Sequence, residues 1–485
     1  MKEKRIFAIA LCIVLSMSLS SCTVVDYVNT LKNMETTTTY KKTPLYTTSP
    51  YYHQGGENTT TTITEAPLFS DGTDFGLSEV VIPKKPKATA VAIKTADAKK
   101  VKVTEDLISK DSDVSAGISK NRGKLTLEGI TAVSSAKSSD TAESRFFGTS
   151  SAFLCMPSSQ IDIKDSVITT TGNGSSACFA YGTGSVIDIS QSEIITQNSN
   201  ARALASTYHG NIYAAGSEIS TSGANSPAVF VGVNGGTITV TGGEITTLGV
   251  SSPAVYSEGT VALTGVKVKT SSSEAAVIEG KNSVSLTGCD IESGSTTFTL
   301  YQSNSGETSK GLATLNVFGG KIEAKSGALF YVANTDAKIY LQGVEIDSTS
   351  SSLVNVVANE KWGEVGENGG KADIVANFQK ISGDIYADNL SEVKLELSAL
   401  SVFEGTINSR NTAKKADIIL DGTSKWILTG NSFVSSITPG MADFSNIDDN
   451  GYTIYYDKNN PTNVYLNGET ITLKDGGILT PMKEQ

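Results

Sequence analysis

The chain has 485 residues, of which 45 are glycine and 7% are aromatic, and its formal charge is −11. Only Arg5, Arg122, Arg145, Arg202 and Arg410 of its 39 basic residues are arginine, so no basic face for nucleic acid is written into it. The length would hold about three ordinary domains, but few aromatics with abundant Gly, Ser and Thr suit one long β-solenoid better.

Residues 1–21 carry a basic start (Lys2, Lys4, Arg5), an apolar run from Ile6 to Met17 and then Leu19-Ser20-Ser21 before Cys22. This is the layout of an export signal, with an apolar run too short to span a bilayer comfortably. The small residues before Cys22 resemble the lipobox of bacterial lipoproteins, which implies cleavage there and a lipidated Cys22 at the mature N-terminus. Residues 22–79 hold TTTTY, YTTSPYY and TTTTITEAP with little apolar periodicity, the composition of an extended, disordered tether. Residues 80–123 alternate again (ATAVAIK, KKVKV) and read as an N-terminal cap, its outer edge blunted by Lys and Pro against edge-to-edge pairing.

Residues 124–438 are organised by a repeat, clearest over Gly236–Glu279. Each copy is an alternating strand (Ile238-Thr239-Val240), a Gly turn, a second strand around Ile245, a Ser-rich loop and a third strand (Ala254-Val255-Tyr256). Equivalents of Ile238 stand at Ile161, Ile187, Ile212, Val261, Val284, Leu315 and Ile339, separated by 23 to 31 residues. Seven positions on from these marks come Ile168, Ile194, Ile219, Ile245, Val268, Ile291, Ile322 and Ile346, none of them charged. Gly216, Gly242, Gly265, Gly288, Gly319 and Gly343 recur four positions after a mark, where a positive φ is cheap only for glycine. Such a unit cannot bury its own apolar face, but coils stacked in register make one continuous core. The expected fold is therefore all-β, a right-handed single-stranded parallel β-helix, and roughly a dozen coils ~4.8 Å apart would span about 55–60 Å. A long insertion interrupts the first coil at Ala132–Ser150 and is expected to bulge from a turn; another loops out from Trp362 to Gly370. Residues 439–485 read as a small β-hairpin cap.

Residues from about 125 to 437 resemble extracellular bacterial right-handed β-helix proteins of the broad pectate-lyase-like superfamily. The segment Asp421-Gly422-Thr423-Ser424-Lys425-Trp426-Ile427-Leu428-Thr429-Gly430-Asn431-Ser432 is similar to late coils of autotransporter adhesin passengers. That resemblance implies architecture more than activity. The chain departs from autotransporters in that no membrane barrel is read up to Gln485, so Cys22 is expected to carry the attachment. Hydrolases of the superfamily use ordered NTD, DD, GHG and RIK motifs, and its lyases use a calcium-binding Asp cluster with an arginine base. Here Asn334-Thr335-Asp336 stands alone, His209-Gly210 precedes it, Asp448-Asp449 lies in the terminal cap, and no RIK equivalent exists. None of the five arginines sits in an Asp-rich coil. No catalytic residues, metal or cofactor are therefore expected.

Two further columns bear on binding. Six positions after the marks come Glu193, Glu218, Glu244, Lys267, Asp290, Lys321 and Glu345, a solvated charge ladder. The third strands align Phe179, Ala205, Phe230, Tyr256, Ile278, Tyr301 and Tyr331. If Cys178, Leu204, Val229, Val255, Val277, Leu300, Phe330 and Val354 point inward, then Phe230, Tyr256, Tyr301 and Tyr331 form an exposed stripe on which sugar rings or a partner could stack. The opposite parity places the rings in the core. Cys155, Cys178 and Cys289 fall at different coil positions and are expected as free, buried thiols. The expectation that emerges is a surface-anchored, non-enzymatic rod, adhesin-like or carbohydrate-contacting. Its partners would be the membrane, through the N-terminal lipid, and a polysaccharide or cell-surface protein. The alternative is a polysaccharide lyase or glycoside hydrolase of the same fold.

Overall fold

The computed structural model describes residues 82–87 and 89–483. The residues read as an export signal, Cys22 and those read as a Thr-rich tether lie outside the described residues. Within them the chain winds into a parallel β-solenoid of about 16 turns. The third strands of successive coils form a 12-stranded sheet, and the first and second strands run together into a 22-stranded one. Four-stranded sheets take over near the C-terminal end.

Alternation along each strand decides what stacks. Ile161, Ile187, Ile212, Ile238, Val261, Val284, Leu315 and Ile339 are consecutive partners in one parallel ladder, and all are buried. The column from Ile168 to Ile346 is in register in the same way. Between these columns the backbone must turn through the left-handed region. Gly216, Gly242, Gly265, Gly288, Gly319 and Gly343 do so with φ between 55° and 63°. The equivalent Asp165, Gln191, Phe378 and Ala399 are held there as well, at φ of 48° to 52°. The coil geometry imposes the turn even where the sequence supplies a side chain, at a strain on the order of 1–3 kcal/mol per residue.

Serine has a structural task that composition alone did not reveal. Ser166, Ser192 and Ser217 stack as buried neighbours just before the second strands. The Ser166 N–H donates to Ser192 Oγ and the Ser192 N–H to Ser217 Oγ, both at 3.2 Å. Each hydroxyl in turn donates to the carbonyl two residues earlier, at 2.7, 2.8 and 3.1 Å. Backbone groups that leave the strand ladders at the turn are thereby satisfied inside the stack.

Several expectations change in detail. Residues 80–123 are not a separate cap from end to end, because Val91–Asp97, Lys100–Val103 and Leu107–Ser109 already form a coil. Lys100 pairs with Lys124, and Leu107 with Ala132. The rod accordingly exceeds a dozen coils and reaches about 75 Å at ~4.8 Å per turn. At the other end Thr453–Tyr456 pairs parallel to both Ser432–Val434 and Ile478–Pro481. The expected C-terminal hairpin is present as the antiparallel pair Ile471–Thr472 and Ile478–Pro481, after a 3-10 helix at Pro461–Leu466. Cys155, Cys178 and Cys289 are free and buried.

Ile245 is completely buried between Ile219 and Val268, whereas Thr246 is partly exposed and pairs with Ser220 and Lys269 on the outer face. Replacing Ile245 with Asp places a carboxylate in the apolar stack at a cost of several kcal/mol. Thr246→Asp, beside Lys269, is expected to change stability by no more than about 0.5 kcal/mol. Urea melts of the two variants check this, with a large shift of midpoint for Ile245→Asp alone.

Candidate functional site

The outer face of the 12-stranded sheet is where this solenoid departs from a plain rod. Phe179, Ala205, Phe230, Tyr256, Val277, Thr299 and Tyr331 are register partners there, in that order. Cys178, Leu204, Val229, Val255, Leu300, Phe330 and Val354 face the main core, as the first parity had it, but Ile278 faces it too and Val277 faces out. The Ser-rich loop shortens after Tyr256, so the third strand slips relative to the marks, and Tyr301 comes two residues beyond Thr299. The rings are not an exposed stripe: Phe230, Tyr256, Tyr301 and Tyr331 are each at most 3% exposed. Chain inserted at three turns covers them, which removes the open face that a stacked sugar would need.

The first cover is the long insertion, which folds back over the sheet instead of bulging away from it. It contains the helix Thr141–Phe147, where Asp140 caps the first turn by accepting from the Ala142 and Glu143 N–H groups. The helix ends at Gly148, with φ 73°, where a Cβ would meet the Phe179 ring at 2.5 Å. Phe147 stacks on Tyr208 and meets Tyr181 edge-on, with centroids 5.6 and 5.2 Å apart. Lys87 straps the helix from outside, its ammonium 2.6 Å from Asp140 and its N–H donating to Glu143. The second cover is the loop 302–311. The third is the loop 357–370, whose Trp362 packs on Tyr301 at 4.2 Å between centroids.

Beneath these covers lies a buried ion cluster. Arg145, on the helix, places Nη2 2.7 Å from Glu307 Oε2 and 3.8 Å from Glu258 Oε1. The Glu258 and Glu307 side chains are 1% and 0% exposed. Arg202 lies with its guanidinium 4.8 Å from the centre of the Phe230 ring and donates to the Asn200 carbonyl at 2.8 Å. Burial, reinforced by Arg145, pulls Arg202 down to about 9. Glu279 accepts from the hydroxyls of Tyr256, Tyr301, Ser303 and Ser305, a shell suited to a carboxylate. Burial and the neighbouring Glu307 and Glu279 push the Glu258 carboxyl well above its ordinary range, and burial raises Glu307 in the same direction.

An open polar groove of about 490 Å³ runs beside this cluster, along the turns that lead into the first strands. Asn211, Thr237 and Thr260, in one column, line it together with His209, Lys281 and Asn282. Glu307, Thr308 and Ser309 line one wall, tied down by Asn282 Nδ2 donating to Thr308 Oγ1 at 3.0 Å and by the Lys281 N–H donating to the Ser309 carbonyl at 3.0 Å. The groove thus offers amides, hydroxyls, an ammonium and an imidazole across neighbouring coils.

The residues weighed for catalysis are not brought together. Asn334 is buried, bonded to Lys310 and the Gln302 carbonyl, while Asp336 is exposed at the start of a strand. His209 sits at the groove with φ 69°. Asp448 pairs with Lys425 and Lys474 near the far end, and Asp449 accepts backbone N–H groups from Gly451, Asp475 and Gly477. The charge ladder is in register from Glu193 through Glu244 to Glu345 and carries exposed pairs such as Lys321–Glu345. What the sequence reading missed is the Arg145–Glu258–Glu279–Glu307 cluster. The available signal was a Glu at the end of two successive third strands, Glu258 directly after Val255–Ser257 and Glu279 closing Ala276–Glu279, whereas Glu307 lies in the loop beyond the next one. No protein family, curated protein or solved structure matches this chain.

A raised carboxyl means that the folded protein keeps a proton which the unfolded chain releases above its ordinary value of 4.5. The stability contributed by Glu258 and Glu307 is therefore complete below that pH and declines as the pH climbs toward their folded values. Glu274, buried and bound by Ser273 and Thr299, has the same sign. Denaturant midpoints are expected to fall between pH 5.5 and pH 8.5, and Glu258→Gln is expected to flatten that slope. Arg145→Ala, which strands Glu307 without its cation, is expected to cost about 3–5 kcal/mol in the same melts.

Proposed function

We propose that this protein is a surface-anchored, non-enzymatic β-helical rod that contacts carbohydrate, held to a membrane by lipid on Cys22. The observation that carries the binding reading is the groove at His209, Asn211, Thr237, Thr260, Lys281 and Asn282, a line of hydrogen-bonding groups at coil spacing. Sugar hydroxyls are matched by side chains of this kind, and the turns that hold them are fixed by the stack beneath. The non-enzymatic part is supported by where the paired carboxylates lie. Glu258 and Glu307 are sealed under the groove wall, with no exposed atom for acid–base work on a bound glycan.

A panel of plant, microbial and host polysaccharides tests both halves. Retention of one or more glycans by the purified protein, without new reducing ends or unsaturated products, is the expected result. Product above background would replace this reading with that of a lyase or hydrolase. For the anchor, Cys22→Ala is expected to move the protein from the membrane fraction to the soluble fraction or to stall its processing. Continued membrane retention of a cleaved Cys22→Ala protein would mean a second attachment.

A further inference from the structure

We infer that a proton shared between Glu258 and Glu307 fixes the wall of the groove, so that losing it loosens residues 302–311 and couples the shape of the groove to pH. The argument begins with a count of charges. The side chains that face one another under the covers are Arg145 from the helix, Arg202 from the turn before its strand, Glu258, Glu279 and Glu307, and the phenols Tyr256 and Tyr301. Tyr208 stands at the rim, toward Glu307 and Glu143. Three acids meet two guanidinium groups, and burial leaves no water to screen the excess.

Geometry says where the odd proton resides. Glu279 has four hydroxyl donors. Glu307 has the Arg145 guanidinium on Oε2, but its Oε1 has no donor. Neither oxygen of Glu258 has one, and Arg145 Nη2 is 3.8 Å away, beyond hydrogen-bond reach. Both carboxyls converge on the same Arg145 Nη2, Glu307 at 2.7 Å and Glu258 at 3.8 Å, which sets them side by side in the sealed cluster. A proton on one Glu258 oxygen, donated to Glu307 Oε1, satisfies two of these three oxygens with a single O–H. Removing it leaves two sealed carboxylates facing each other over one guanidinium.

The strain then falls on the part that gives most easily. Glu258 follows a third strand directly, and Arg145 sits in a helix packed on Phe179 and Tyr208. Residues 302–311, by contrast, form no strand or helix. At its two ends the segment is held by Gln302, Lys310 and Gly311, bonded to residues 333–335, and by the Ser303 and Ser305 hydroxyls on Glu279; between them its ties are the Arg145 pair, the Thr308 and Ser309 contacts with the neighbouring turn, and Asn304, which donates to the Lys361 carbonyl and accepts from the Gly363 N–H. Because Thr308 and Ser309 line the groove, whatever loosens Glu307 moves the groove wall. The inference holds whatever the groove binds.

Hydrogen exchange on the full chain at about pH 6 and about pH 9, corrected for the intrinsic rate of amide exchange, tests it. Protection of peptides covering 302–311 is expected to fall at least tenfold at the higher pH, while the strand Gly236–Thr247 keeps its protection. Glu258→Gln, which retains an N–H donor toward Glu307 and cannot ionise, is expected to show no such fall. Equal protection of 302–311 at both pH values in the wild-type protein would overturn the inference, and this arm stands even if the variant does not fold. A tenfold loss in Glu258→Gln matching that of the wild type would overturn it as well.

Discussion

Register is the constraint on which everything else rests. Each strand hydrogen-bonds to the same position of the coil above and below, at ~4.8 Å, so every residue is forced to stack on its own equivalent. Apolar positions become continuous columns, as from Ile161 to Ile339, and a single misplaced charge would be repeated against neighbours that cannot move aside. The same rule makes the outer ladders costly where like charges coincide. Glu193, Glu218 and Glu244 stack directly, with a repulsion of about 1 kcal/mol per adjacent pair in water, and exposure keeps it that small.

A solenoid has no need to bury charge, since each coil presents a solvated outer face. This one does so because inserted chain closes over one sheet. The covers turn an outward column of Phe179, Phe230, Tyr256 and Tyr331 into a second apolar core, and carry Arg145 and Glu307 into it. Burying such ions is costly in desolvation, which the mutual attraction offsets only with good geometry and full hydrogen bonding. Glu279 meets that standard through four hydroxyls; Glu258 meets it only as an acid that shares a proton. A cluster of this kind adds little net stability, but it ties two inserts from distant parts of the chain to one place, and the third is held to the loop 302–311 through Asn304 and to Tyr301 through Trp362. The groove beside it inherits its shape from those ties.

Much of the architecture was legible in the chain before any coordinates. The period, the mark column, the Ile column after it and the glycine turn were all recoverable, because side chains alternate with period two and a stacked coil repeats each choice. The turn was even under-read: Asp165, Gln191, Phe378 and Ala399 adopt the glycine conformation because the coil demands it. The serine ladder at Ser166, Ser192 and Ser217 was visible only as composition, since nothing local shows that a hydroxyl will meet the next coil's N–H.

The columns of the first two strands were determined by the sequence, because the turn between them has constant length. The third strand was not, because the loop before it shortens after Tyr256 and a slip of one residue exchanges inside for outside. Whether its outward rings meet water was decided by the tertiary structure alone. Arg145 lies more than a hundred positions before Glu258 and Glu307, and only the folding back of the insertion brings them together. Residue order carries the periodic part of this protein, in which neighbours are set by the repeat. The groove and the ion cluster depend on long-range contacts between inserts that break the repeat, and no local pattern encodes them.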